Sequence, residues 1–142
     1  MANEIDVIVV GGGGSGLATA VSAAQQGLTV LLLEKQPQLG GTTGIAVGSF
    51  TANRTQFQQR AGIADSLDAH AEDAAQFAAA EIERRNHGPL RRFFLDHSAD
   101  TLAWLTELGL HFHGPSPEPP NRVPRMHNVV PGAKAYIANL QA

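Results

Sequence analysis

"DVIVVGGGGSGLATAVSAAQQGLTVLLLEKQPQLGGTTG", Asp6 to Gly44, sets two glycine clusters on either side of an acidic residue. Ahead of the first cluster, Ile5, Val7, Ile8, Val9 and Val10 form a β-branched run that reads as a strand buried on both faces. From Gly14 to Gln26 the pattern changes: Leu17, Ala18, Ala20, Val21 and Ala24 recur at helical spacing. Gly27 then stands where a helix C-terminus favours a left-handed residue. "LTVLLLEK" reads as a second buried strand ending at Glu34. Strand, helix and strand within about thirty residues make a βαβ unit, with parallel strands and a right-handed crossover. The expected fold class is α/β: a Rossmann-like βαβ dinucleotide-binding unit followed by helices.

The first cluster fits G-x-G-x-x-G as Gly11, Gly13 and Gly16, between strand and helix, where the chemistry requires it. Gly11 permits the tight turn, Gly13 lets a pyrophosphate approach the backbone, and Gly16 lets the helix pack close. Phosphates would sit at the positive end of the helix, near Gly14 and Ser15. Glu34 follows Gly11 by 23 residues and closes the second strand, placed to accept hydrogen bonds from ribose hydroxyls. The competing reading, glycines serving only a tight turn, leaves that carboxylate without a role.

Composition narrows the functions further. The chain has 142 residues, enough for one domain over 1–142 with a real core. It is 43% apolar and 16% charged with a net charge of −3, so no basic field exists to hold nucleic acid. With no cysteine, disulfides, thiolate catalysis and cysteine-type zinc sites are excluded. "MANEIDVIVV" has no basic n-region and no run approaches the roughly 18 apolar residues of a membrane span, so a cytoplasmic location is expected.

Beyond Glu34, residues 35–65 are rich in Gly, Thr, Gln and Asn and read as an extended loop region. Ser66 is placed to cap a helix running to about Asn86, with Leu67, Ala71, Ala74, Ala75, Ala78 and Ile82 along one side. Gly88 ends it. Pro89 opens another helical region, interruptible near Ser98, with Leu95, Leu102, Trp104, Leu105 and Leu108 as core candidates and Gly109 as its stop. "HGPSPEPPNRVP" holds five of the eight prolines and reads as a loop or polyproline crossing. A short last helix begins near Gly132. His111 and His113 alternate as on a strand but lack partners at metal-ligand spacing, and no metal is expected. Arg84, Arg85, Arg91 and Arg92 read as a solvated face.

The second cluster, "EKQPQLGGTTGIAVGSF", resembles FAD-binding flavoproteins rather than NAD dehydrogenases. More narrowly, the chain resembles the fumarate reductase and succinate dehydrogenase flavoprotein family, in the soluble branch that includes 3-ketosteroid dehydrogenases and urocanate reductases. "GIADSLDAHAEDA", "SADTLAWLTELGLHF" and "PRMHNVVPGAKAYIANL" continue the resemblance, in order, along essentially the whole chain. It implies that Gly11, Gly13, Gly14 and Ser15 meet the FAD pyrophosphate. It places Glu34 and Lys35 at the adenosine ribose and Gly41, Thr42, Thr43, Ala46 and Gly48 on the riboflavin side. Membrane-bound members attach FAD to a histidine in the loop matching Thr42 and Thr43. Here no histidine precedes His70, so FAD is expected to be held non-covalently. Arg125 and His127 are candidates either to approach the flavin or substrate or to cap the last helix.

Family members carry a capping domain and a return of the chain that are absent here, so the resemblance implies the N-terminal part of an incomplete FAD-binding domain. No residue matches the family's catalytic groups, and no catalytic residue is assigned. A small-molecule substrate belongs to the full-length parent. Two alternatives stay open: a non-catalytic fragment with at most weak dinucleotide binding, and a plain NAD-binding module. A sheet made of the first strands alone is expected to expose apolar surface and to be marginally stable.

Overall fold

The computed structural model describes residues 4–142, and the first three residues of the expected 1–142 domain lie outside the described ones. The chain divides into two compact units: residues up to Gly48 together with Val129–Ala142, and Ser49–Asn128.

In the first unit β1 (Val7–Val10) and β2 (Val30–Leu33) pair in parallel, Val7 opposite Val30 through Val10 opposite Leu33. Asp6 anchors the register, accepting from the Thr29 N–H through Oδ2 at 2.8 Å. Between the strands runs α1 (Gly14–Gln25), ended by Gly27 at φ +82. Successive strand side chains point to opposite faces. Val9, with Leu17 of α1, is buried, whereas Ile8 is 59% and Val10 82% exposed, and Leu31 and Leu33 are exposed with them. The expectation of strands buried on both faces is therefore corrected. Only the α1 side is covered among the described residues, and the expected exposed apolar surface is the other face. α6 (Lys134–Leu140) packs against α1 and buries Tyr136, Ile137 and Leu140. The Tyr136 hydroxyl donates to the Gly48 carbonyl at 3.1 Å, and burial pushes its pKa up to about 12.

The second unit holds β3 (Ser49–Thr51), β4 (His111–Ser116) and the first three residues of β5 (Met126–Val130), and the three-stranded sheet has the order β3-β5-β4. β3 runs antiparallel to β5, with Phe50 opposite His127. Four helices belong to this unit: α2 (Gln56–Arg60), α3 (Leu67–Ala74), α4 (Ala80–Glu83) and α5 (Gly88–Glu107). Three expectations are corrected. The region 35–65 contains β3 and α2, the latter started by a capping box in which Thr55 and Gln58 satisfy each other's backbone N–H. The helix from Ser66 stops at Ala74 and restarts at Ala80. Its buried positions are His70 and Asp73, and the alanines beyond them bury too little apolar surface to hold a longer helix. The proline-rich segment begins within β4, an edge strand that includes Pro115, and edge strands are where a sheet tolerates proline. α5 runs unbroken through Ser98, whose hydroxyl donates to the Leu95 carbonyl. Gly109 follows at φ +91.

The core of this unit is strongly polar. Arg125, 0% exposed, donates to Asp65 through two bonds of 2.7 Å, to Asp73 at 2.6 Å and to Asn121 at 2.9 Å. His127 meets Thr55 Oγ1 at 3.1 Å and the Phe50 carbonyl at 3.2 Å. Both residues are thus internal struts, and neither caps α6. Arg91 forms a bidentate pair with Glu83, and Arg92 pairs with Asp68.

His70, 3% exposed, shares a 3.0 Å hydrogen bond with Asn53. Burial, and then the Arg125 charge, lowers its pKa from 6.5 to about 4. Burial alone would raise Asp73, but hydrogen bonds from the Arg122 N–H and the Arg125 and Arg122 guanidiniums hold it at about 2. An unfolded chain takes up a proton on His70 below about pH 6.5, while the folded chain resists until about pH 4, so stability falls across that window. Asp73 extends the loss from 3.8 downward. The expected result is an unfolding free energy, from urea denaturation read by emission of the single tryptophan, Trp104, that drops between pH 7 and pH 4.5 by on the order of 2 kcal/mol, with the midpoint falling in step. His70→Asn flattens the drop. A midpoint independent of pH over this range contradicts it.

Candidate nucleotide-binding site

Where β1 ends, the backbone has to turn within a few residues to start α1. Gly11 makes the turn at φ +103, with its N–H donating to the Leu33 carbonyl at 2.7 Å. The Gly12 N–H donates to Glu34 Oε2 at 2.6 Å, and Glu34 Oε1 accepts from Gln36 N–H at 2.8 Å. These bonds, Gly12 first, hold the Glu34 carboxyl below the usual carboxylate range. Glu34 is therefore a tie between the end of β2 and the first glycine turn. A carboxylate has about four acceptor positions, so lone pairs remain beyond these two bonds.

The second glycine cluster lies against the first. Gly40 pairs with Gly13 in a parallel bridge, its N–H donating to the Gly12 carbonyl at 2.8 Å. The loop then winds through a 3-10 turn, Thr43–Ile45, and the Gly14 N–H donates to Thr43 Oγ1 at 3.2 Å. Gly11 through Gly14, Glu34, Gly40 and Thr43 thus form one hydrogen-bonded assembly from three separate segments. At the start of α1, the N–H groups of Ser15 and Gly16 face no acceptor within the described residues. They are the unpaired donors that a helix N-terminus presents to an anion.

The fold accounts for most glycines of the motif, but not for Gly13. A Cβ at Gly16 would run into the Gly11 carbonyl, and one at Gly12 would run into Leu39. Gly13 has an ordinary extended backbone, φ −77 and ψ −178, and a Cβ there would meet nothing nearer than the Gly40 carbonyl at 4.0 Å. Neither torsion nor packing within the chain requires glycine at that position. A ligand that must lie against the backbone does.

The remaining expected positions are less tightly gathered. Lys35, Gly41, Thr42 and Ala46 are exposed on the same loops. Gly48 is buried against Val129 and Ala133, where its φ of +97 and a Cβ distance of 2.7 Å to Val129 Cγ1 already require glycine. Sequence reasoning missed Gly12 and Gly40, whose part is to join the two clusters. It predicted the last helix but not its place beside these loops: α6, with Gln36, Leu39, Gly41 and Ile45, borders a cleft of about 860 Å³ through Lys134 and Ile137. The only local signal was that Gly40 adjoins Gly41. The described residues contain no metal-binding group, and no helix among them is long and apolar enough to cross a membrane.

The sequence pattern of the family described as FAD binding domain matches residues 6–133. Among known relatives, the NADH:fumarate oxidoreductase of Klebsiella pneumoniae is 35% identical over 105 residues, covering 74% of this chain and 11% of that protein. A 3-oxosteroid 1-dehydrogenase of Mycolicibacterium smegmatis is 32% identical over 143 residues, 96% of this chain and 24% of its own length. The open conformation of a flavocytochrome c3 fumarate reductase superposes with a TM-score of 0.86 at 28% identity, covering 99% of this chain and 25% of that one. The chain thus spans a quarter or less of the length of these relatives.

Proposed function

The chain belongs to the FAD binding domain family, and from that premise we propose that its two joined glycine loops hold FAD non-covalently as part of a flavin-dependent oxidoreductase. The observation that carries this is Gly13, where a side chain would meet nothing nearer than 4.0 Å and which is glycine for no reason internal to the fold. The N–H groups of Ser15 and Gly16 serve the pyrophosphate, with Gly14 beside them. Gly11 sets the turn and Gly16 its close packing. The lone pairs left on Glu34 accept ribose hydroxyls, with Lys35 adjacent. Gly41, Thr42, Thr43, Ala46 and Gly48 border the riboflavin side, and no histidine on these loops offers a covalent link.

Bound flavin supplies hydride transfer to or from a carbon–carbon bond next to a carboxylate or ketone, a reading supported by the fumarate and 3-oxosteroid enzymes among the relatives. This chain's own residues orient the cofactor and fix charge around it. The substrate-selecting groups belong to the parent protein.

The test is to add FAD to the purified chain, remove the excess, and compare its visible spectrum with that of Gly13→Glu. The variant places a carboxylate in open space, so its far-ultraviolet circular dichroism stays that of the wild type while flavin retention is lost. Acid precipitation of the loaded wild type releases all flavin to the supernatant. A folded wild-type chain that retains none overturns the proposal, and equal retention by the variant removes its main support.

A further inference from the structure

Thr43 and Thr42 adjoin in sequence, but the structure treats them differently. Thr42 is exposed, with no side-chain bond to α1, whereas Thr43 is half-buried against the start of that helix. Thr43 Oγ1 accepts the Gly14 N–H at 3.2 Å. A methyl built on Gly14 would stand 2.6 Å from that oxygen and 3.0 Å from Thr43 Cγ2, so the approach requires glycine opposite threonine. A hydroxyl has one proton to donate and two acceptor positions. With Gly14 using an acceptor position, the Thr43 proton is committed to no acceptor among the described residues.

We propose that Thr43 is a relay in the anion site: its hydroxyl accepts the Gly14 N–H and donates its own proton to a phosphate oxygen. This carries the first donor of α1 outward across the loop, beside the direct donors Ser15 and Gly16. The inference rests on the dinucleotide reading and moves Thr43 from the riboflavin side to the pyrophosphate. A hydroxyl already accepting one hydrogen bond is polarised toward donating another, and a charged acceptor strengthens that second bond. Thr42 has no such part.

The test uses the full chain with Thr43→Val, which keeps the shape, and Thr43→Ser, which keeps the hydroxyl. Without ligand, Thr43→Val shifts the Gly14 amide resonance and speeds its hydrogen exchange, and Thr43→Ser restores both. With FAD, Thr43→Val weakens binding roughly tenfold to a hundredfold, while Thr43→Ser stays within about threefold of wild type. Wild-type affinity in Thr43→Val overturns the relay and leaves the site standing. A Gly14 amide unmoved in Thr43→Val overturns the hydrogen bond on which the relay depends. A wild-type chain that takes up no FAD overturns the dinucleotide reading, and the relay falls with it.

Discussion

Arg125→Met unfolds the second unit, lowering its stability by about 3–5 kcal/mol, the usual consequence of removing one partner from a buried charge cluster. Asp65 and Asp73, 1% and 2% exposed at the side chain, lose the guanidinium between them, and Asp73 keeps only Arg122. Three segments lose their common strut: the approach to α3, α3 itself and the proline-rich loop through Asn121. Lysine is a poor substitute, since an ammonium cannot reproduce the paired bonds to Asp65 together with those to Asp73 and Asn121. Urea denaturation followed by Trp104 emission reads the effect. Adding Asp65→Asn and Asp73→Asn to Arg125→Met recovers part of the loss, because the uncompensated charges are then gone. A loss below about 1 kcal/mol for Arg125→Met contradicts the role of the cluster.

Gly16→Ala abolishes FAD uptake and destabilises the first unit by about 1–3 kcal/mol or more. The added methyl would collide with the Gly11 carbonyl, lie 3.0 Å from the Gly11 carbonyl carbon and 3.4 Å from Val9 Cγ1. Most of those atoms are backbone, so no side-chain rotation relieves the overlap and the turn itself moves. Gly13→Ala is the contrasting case. Its methyl enters open space, so the melting temperature stays and only affinity for FAD falls. Thermal melts by circular dichroism with parallel FAD binding separate the two effects. A Gly16→Ala chain with wild-type melting and uptake contradicts the packing argument.

The contrast shows which parts of the molecule were legible in sequence. β1, α1 and β2 announce themselves locally, because the continuous apolar runs, the helical spacing, Gly11 and Gly27 all act within one short stretch. The tie from Gly12 to Glu34 was only half legible. Spacing placed the carboxylate, but its bond to the turn depends on the pleat and register of two strands. β3 was hidden because its partner is Met126–Asn128, far along the chain, and three residues carry no period. The capping box at Thr55 and Gln58 was readable and stood in a region that composition marked as loop. The break after Ala74 and the burial of Arg125 and His127 depend on partners distant in sequence. Asp65 and Asp73 lie 60 and 52 residues from Arg125, beyond any local pattern.

The central claim is that three segments, around Gly13, Glu34 and Gly40–Gly41, form one dinucleotide site. Amide resonances of the isotopically labelled chain, followed as FAD is added, test it most directly. The account predicts saturable shifts concentrated in residues 11–16, 34–35 and 40–48. Shifts centred instead on Leu67–Glu107, or a folded chain whose spectrum FAD leaves unchanged, would contradict it.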